Sequence, residues 1–180
     1  MAPSKIMLIR HGEKPDDASN TGGVDEAGRA DTSQLSVRGW QRAGALVRFF
    51  APLTAPPLQG IAVPSHIFAC VPRNGSFSLR PLSTVTPLAR ELGLTVHHEF
   101  GKDDIEGQCG ALKTISGTAL ICWAHEPIPA IARGFAGALP SLPAKWPGKR
   151  FDLVWVLDRD GDDWRFTELG QMLLPDDLPV

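Results

Sequence analysis

The sequence is poor in cysteine. Cys70, Cys109 and Cys122 are an odd number with no CxxC pair, and Cys70 and Cys122 fall inside apolar runs where a free thiol behaves as a small hydrophobe. That usage is expected of a reducing compartment. Basic clusters are absent too. Eighteen Lys and Arg stand scattered against twenty Asp and Glu, for a net charge of −2 and a pI near 6.2, which leaves no electrostatic footprint for nucleic acid or an anionic membrane. No apolar window approaches the length needed to cross a bilayer, and residues 1–5 are not a basic region followed by an apolar stretch. The expectation is a cytoplasmic protein with no nucleic-acid and no membrane partner. There is no internal repeat.

What is present is alternation. At 180 residues the chain is long enough to close one domain around a core without disulfide or metal staples. A first strand covers residues 5–9. Trp40, Ala43, Val47 and Phe50 then recur at helical spacing over 35–50, with Ser36 placed to cap. A strand at 66–70, a helix over about 81–92 ended by Gly93, and a short strand at 95–97 follow. Ile105, Cys109 and Leu112 repeat at helical spacing, 118–123 (TALICW) is the most strand-like stretch, and a helix covers about 128–135. Strands at 151–157 and 164–168, separated by Arg159-Asp160-Gly161-Asp162, suggest a hairpin. The pattern predicts an α/β protein, a three-layer α/β/α sandwich with a mostly parallel central sheet and an antiparallel edge strand. Residues 16–34, 71–79 (including Asn74, Gly75 and Ser76) and 140–147 with Trp146 read as loops from which specificity would be drawn.

Two buried strands end at a histidine, His11 in LIRHGEKP and His125 after TALICWA, and ligands of such sheets bind beyond the carboxyl ends of the strands. A neutral imidazole with one nitrogen bonded to backbone can present the other as a nucleophile. The adjacent Arg10 offers a planar fork for phosphate oxygens, and Gly12 lets backbone approach a ligand. Glu13 and Lys14 follow on the rim, where Lys14 is solvated or assists an anionic substrate. His97 and His98 are adjacent on a strand and point to opposite faces, which argues against a shared metal site.

In four places the chain resembles the histidine phosphatase superfamily, the phosphoglycerate mutase-like proteins. LIRHGEKP matches the signature strand end; LSVRGWQRA (35–43) is similar to the LSxxGxxQA start of the first helix; Arg80 and Thr84 in RPLSTVTPLA resemble the arginine and threonine that open the second; 119–125 resembles the strand carrying the second histidine. The resemblance implies a single histidine phosphatase-like domain over 1–180 and a phosphomonoesterase acting through a covalent phosphohistidine on His11. Arg10, Arg80 and a cationic His125 would surround the phosphoryl group, with no metal and no cofactor. Arg73 lies nearer the second strand, but Arg80 keeps the arginine-to-threonine spacing. For the proton donor the resemblance points to Asp104, with Asp103, Glu99 and Glu126 as rivals; Asp103 and Asp104 also suit the first turn of a helix. Substrates would be a phosphorylated small molecule or a phosphoprotein. The alternatives are a phosphohistidine protein phosphatase, a phosphoglycerate mutase-type enzyme, or a catalytically weak phosphate-binding module. Physiological substrate and oligomeric state are not legible.

Overall fold

A computed structural model describes residues 3–16, 21–73 and 77–180. Residues 17–20 and Asn74, Gly75 and Ser76, within two of the expected loops, lie outside the described residues. The elements are β1 (Lys5–Arg10), α1 (Val37–Phe50), β2 (His66–Ala69), α2 (Arg80–Leu92), β3 (Val96–His97), α3 (Ile105–Leu112), β4 (Thr118–Trp123), α4 (Ile128–Ala136), β5 (Leu153–Asp160) and β6 (Asp163–Gly170). They follow the sequence periodicity closely because local signals and burial agree. Ser36 caps α1, its Oγ accepting from the Gly39 amide at 3.1 Å. Gly93 ends α2 in the left-handed conformation, at φ 65°, where a side chain would be strained.

The sheet runs β3-β2-β4-β1-β5-β6. Strands β3, β2, β4 and β1 are parallel, and the β5–β6 hairpin supplies the antiparallel part at one edge through β5 against β1. Side chains alternate across a strand, so β1 sends Ile6 and Leu8 to one face and Met7 and Ile9 to the other. The first face packs on Leu112 of α3 and Ile128 and Ile131 of α4; the second packs on Leu46 and Phe50 of α1 and Val85 and Leu88 of α2. Two covered faces are what continuous apolar strands require. At roughly 1.5–3 kcal/mol for each large apolar side chain taken from water, these layers outweigh local preferences and fix the strand register.

That register matters for function. With β1 and β4 parallel and Arg10 opposite Trp123, residues 10–12 and 124–126 leave the sheet side by side, and the loop into α2 begins at the end of β2. One further packing requirement holds this rim in place. A Cβ on Gly12 would lie 2.9 Å from the Gly39 carbonyl oxygen, and one on Gly39 would lie 2.4 Å from that of Glu13. Bare glycine at both positions lets the β1 exit rest on the first turn of α1.

Candidate active site

His11 is 6 % exposed. Its amide donates to the Trp123 carbonyl at 3.1 Å, continuing the β1–β4 ladder one residue past the strand. Its Nδ1 is 2.7 Å from the Gly12 carbonyl oxygen. A carbonyl only accepts, so Nδ1 carries the proton and Nε2 keeps its lone pair. Burial, opposed by that hydrogen bond and reinforced by Arg10, Arg80 and His125, pushes the His11 pKa down to about 3. The imidazole is neutral at every physiological pH. Behind it the Gly12 amide donates to Thr84 Oγ1 at 2.8 Å, and Thr84 donates to the Arg80 carbonyl at 2.7 Å. The RHG stretch is thereby tied to the first turn of α2.

Arg10 is 3 % exposed. Its Nη1 donates to the Gly148 carbonyl at 2.5 Å, and its guanidinium lies 3.8 Å from the centre of the Phe151 ring. No carboxylate pairs with it among the described residues, and its Nε is buried without a partner. Burial lowers its pKa to about 10, still charged at neutral pH. Among the described residues the Arg80 side chain, at the start of α2, bonds the Thr32 carbonyl, at 3.3 Å, and its Nε is likewise buried and unpartnered. Burial lowers its pKa as well. An orphaned buried donor costs about 1–3 kcal/mol, and the two arginines that carry one line the same space.

That space is a cavity of about 180 Å³ whose lining includes Arg10, His11, Arg80, His125 and Glu126. The structure thus brings together four of the five residues singled out in the sequence. The fifth, Asp104, is not there. It caps α3, its Oδ1 accepting from the Gly107 amide at 3.0 Å, which is the helix-start role that competed with catalysis. Asp103 and Glu99 also lie outside the lining; among the described residues Glu126 is the one acidic residue within it. Arg73 is exposed and rests against Gly101. Trp146, expected in a specificity loop, is buried in the core with its ring 5.1 Å from that of Trp155.

His125 is partly exposed, with Nδ1 3.4 Å from Glu126 Oε2. Burial and Arg10 lower its pKa, Glu126 opposes them, and Lys14 and Lys102 lower it further. Burial alone would raise the Glu126 pKa, but a backbone amide, His125, Lys102 and Arg10 outweigh it and hold the carboxyl below its ordinary range. Cys70 also lines the cavity, and burial pushes its thiol up to about 11, which leaves it unreactive. Among the described residues no three His, Cys, Asp or Glu side chains cluster as a metal site would need, and no helix is long and apolar enough to cross a membrane.

Sequence reasoning missed the floor under Arg10. The Gly148 carbonyl comes from an irregular segment with no periodic signal, and Phe151, read as the start of a strand, lies just before β5. It also placed Glu13 on the rim. Instead Glu13 turns into a buried network: Arg42, 1 % exposed, bonds Glu13 through Nε and Nη2, Asp177 through Nη1 and Nη2, and Gln171 through Nη1. Arg42 stands where the LSxxGxxQA pattern has glutamine, and that departure was the available signal.

No protein-family model and no curated protein matches the chain. Solved structures do. The protein histidine phosphatase SixA in complex with tungstate superposes with a TM-score of 0.59 at 12 % identity, covering 93 % of this chain and 97 % of that one. The alpha-ribazole phosphatase from Shigella flexneri gives 0.53 at 13 % identity, over 92 % and 96 %. A mycobacterial glucosyl-3-phosphoglycerate phosphatase in complex with VO3 gives 0.53 at 13 % identity, over 92 % and 97 %. The fold is therefore the phosphoglycerate mutase-like α/β/α sandwich that histidine phosphatases share. Identities this low establish architecture, and activity rests on the site itself.

Proposed function

We propose that the protein is a phosphatase that forms a covalent phosphohistidine on His11. The observation that supports this most directly is the pairing of a neutral, tautomer-fixed imidazole with two guanidinium groups whose Nε atoms are buried and unpartnered. Phosphoryl transfer needs positioning and charge stabilisation more than covalent help. In the first step His11 Nε2 forms a bond to phosphorus as the bond from phosphorus to the leaving oxygen breaks. Arg10 and Arg80 take up the charge on the equatorial oxygens. In the second step water attacks phosphorus, the nitrogen–phosphorus bond breaks, and inorganic phosphate leaves with His11 neutral again.

The leaving oxygen needs a proton, and Asp104, which caps α3, is not among the residues that line the cavity. Glu126 is ionised at neutral pH, so its part is to hold the proton on His125 Nδ1. His125 becomes the donor once a phosphate dianion offsets the cations that depress its pKa. With Glu126 ionised and no other carboxyl in the lining among the described residues, the cavity offers no carboxylic acid to a leaving alkoxide. A phosphorylated histidine, which leaves as a nitrogen base, is the second reading that this supports. The same reading carries the earlier expectations of one domain over 1–180 and a metal-independent reaction.

The test is hydrolysis of an aryl phosphate in the presence of chelator by wild type and His11→Ala, with trapping of label in an alkaline denaturing quench. Chelator-resistant turnover that disappears with His11, together with a base-stable, acid-labile adduct, is expected. Turnover that persists in His11→Ala overturns the assignment.

A further inference from the structure

The floor under Arg10 is not part of the sheet. Residues 148–152 lie between α4 and β5, yet Arg10, His11 and His125 all adjoin them. Arg10 bonds the Gly148 carbonyl, approaches that of Arg150 at 3.5 Å and lies over the Phe151 ring. The His11 ring centre is 6.0 Å from that of Phe151, and a Cβ on Gly148 would lie 3.6 Å from His125 Nε2. Packing alone does not fix this floor. Phe151 also lines a second cavity, of about 250 Å³, which it shares with Glu13, Arg42, Arg150, Asp152 and Asp177 and not with Arg10 or His11. Its ring is therefore not packed on every side.

What holds the floor is a clamp. Arg150 donates to Asp152 from Nε at 2.6 Å and from Nη2 at 3.0 Å, which closes a bidentate ion pair across Phe151. Such a pair fixes geometry as well as charge. It is anchored in turn to the segment after β6. Asp152 Oδ2 accepts from the Leu178 amide at 2.9 Å, Arg150 Nη2 donates to the Leu178 carbonyl at 2.6 Å, and the Asp152 carbonyl accepts from the Gln171 amide at 2.7 Å. Gln171 also bonds the Phe151 and Leu153 carbonyls through Nε2. Asp152 and Gln171 are both buried. The Arg150 side chain is thus turned toward Leu178, while its carbonyl stays toward Arg10 and accepts from Trp146 Nε1 at 2.9 Å.

We infer that Asp152 is a positioning residue: by clamping Arg150 across Phe151 and tying both to Leu178, it holds the Gly148 carbonyl and the Phe151 ring under Arg10 and so sets how well the site binds a phosphoryl group. The inference rests on the phosphatase reading above. Asp177, the neighbour of Leu178, pairs with Arg42 instead and provides the control.

The test is a double-mutant cycle on aryl phosphate hydrolysis, with vanadate inhibition and denaturant unfolding measured on each protein. Asp152→Asn keeps the shape of the side chain and removes its charge. It should lower kcat/KM and vanadate affinity about tenfold, as a small misplacement of a binding group does, whereas in Arg10→Met it should change kcat/KM by less than about twofold. A residue that only supports the fold would give equal losses in both backgrounds. Asp177→Asn should lower stability and keep vanadate affinity. A loss in Asp152→Asn that is equal in the two backgrounds, absent in wild type, or matched by Asp177→Asn overturns the inference and leaves the phosphatase reading intact. If Asp152→Asn does not fold, Arg150→Gln, which opens the clamp from its more exposed side, decides by the same cycle. Failure of wild type to turn over overturns the phosphatase reading instead. Calorimetric binding of inorganic phosphate to wild type, Asp152→Asn and Asp177→Asn then decides the role of Asp152: weakening in Asp152→Asn alone sustains it, and any other pattern overturns it.

Discussion

Arg10 and Arg42 are both buried arginines, one on each side of the segment that follows His11, and they are treated in opposite ways. All three guanidinium nitrogens of Arg42 are engaged, by Glu13, Asp177 and Gln171. Burial alone would lower its pKa, but the hydrogen bonds and charges of Asp177 and Glu13 outweigh that and hold it above its ordinary value. Arg10 has carbonyl oxygens and an aromatic face for company, an Nε with no partner, and a lowered pKa. The saturated arginine holds structure together; the unsaturated one is, on the proposed function, the one open to a phosphate. Glu13, two residues beyond His11, joins the two regions, so the ion network braces the catalytic loop from behind.

The contrast can be broken experimentally. The largest expected effect is on chemistry: His11→Ala should lower the turnover of an aryl phosphate by about 10⁴-fold or more, as loss of a nucleophile does, with unfolding measured in parallel to show that the fold survives. Next, Arg10→Met should cost about 10²–10³ in kcat, the range for removing one preorganised donor, and leave stability unchanged or raised. Arg42→Met should behave in the reverse sense. Stranding two buried carboxylates costs about 3–5 kcal/mol, visible in denaturant unfolding. Equal destabilisation by both substitutions would erase the distinction.

A smaller effect sharpens it. Vanadate or phosphate at about 100 times its Kd should stabilise the wild type by about 2.7 kcal/mol, seen as a rise in Tm. Arg10→Met should lose that rise and Asp177→Asn should keep it. The mildest test is pH. The folded pKa of His11, about 3, lies below the ordinary ~6.5 of an unfolded imidazole, so the unfolded chain binds the extra proton between those values. This contribution is fully present above about pH 6.5 and is lost as pH falls toward 3. His11→Gln should flatten the decline over that window. Asp177, held at about 2 because hydrogen bonds from Arg42 and backbone amides outweigh its burial, adds a loss below about pH 4 that His11→Gln does not touch.

Much of the architecture was legible because it is local. Ser36 and Gly93 mark helix ends by chemistry within one turn, and TALICW can only be a strand covered on both faces. Site residues at strand ends, His11 and His125, were legible for the same reason: parallel strands deliver their carboxyl ends to one edge. Arg80 followed from its spacing to Thr84, and the structure ties that threonine to Gly12. Asp104 had two competing local roles, and the structure shows it in the helix-capping one, bonded to the Gly107 amide and outside the cavity lining. Trp146 failed because an irregular, proline-rich segment gives no period from which to judge its facing.

By itself, then, the chain determined its layers, its strand ends and the pair of histidines, since these depend on periodicity and on residues close in sequence. Only the tertiary structure decided which arginine is saturated and which is left open, which carboxylate faces the cavity, and that Lys14 and Lys102 share it. Those outcomes depend on partners far apart in sequence, such as Arg10 and Gly148, 138 residues apart. No local pattern encodes such a meeting, because whether a charged group is paired or free is a property of the packed neighbourhood and not of the segment that carries it.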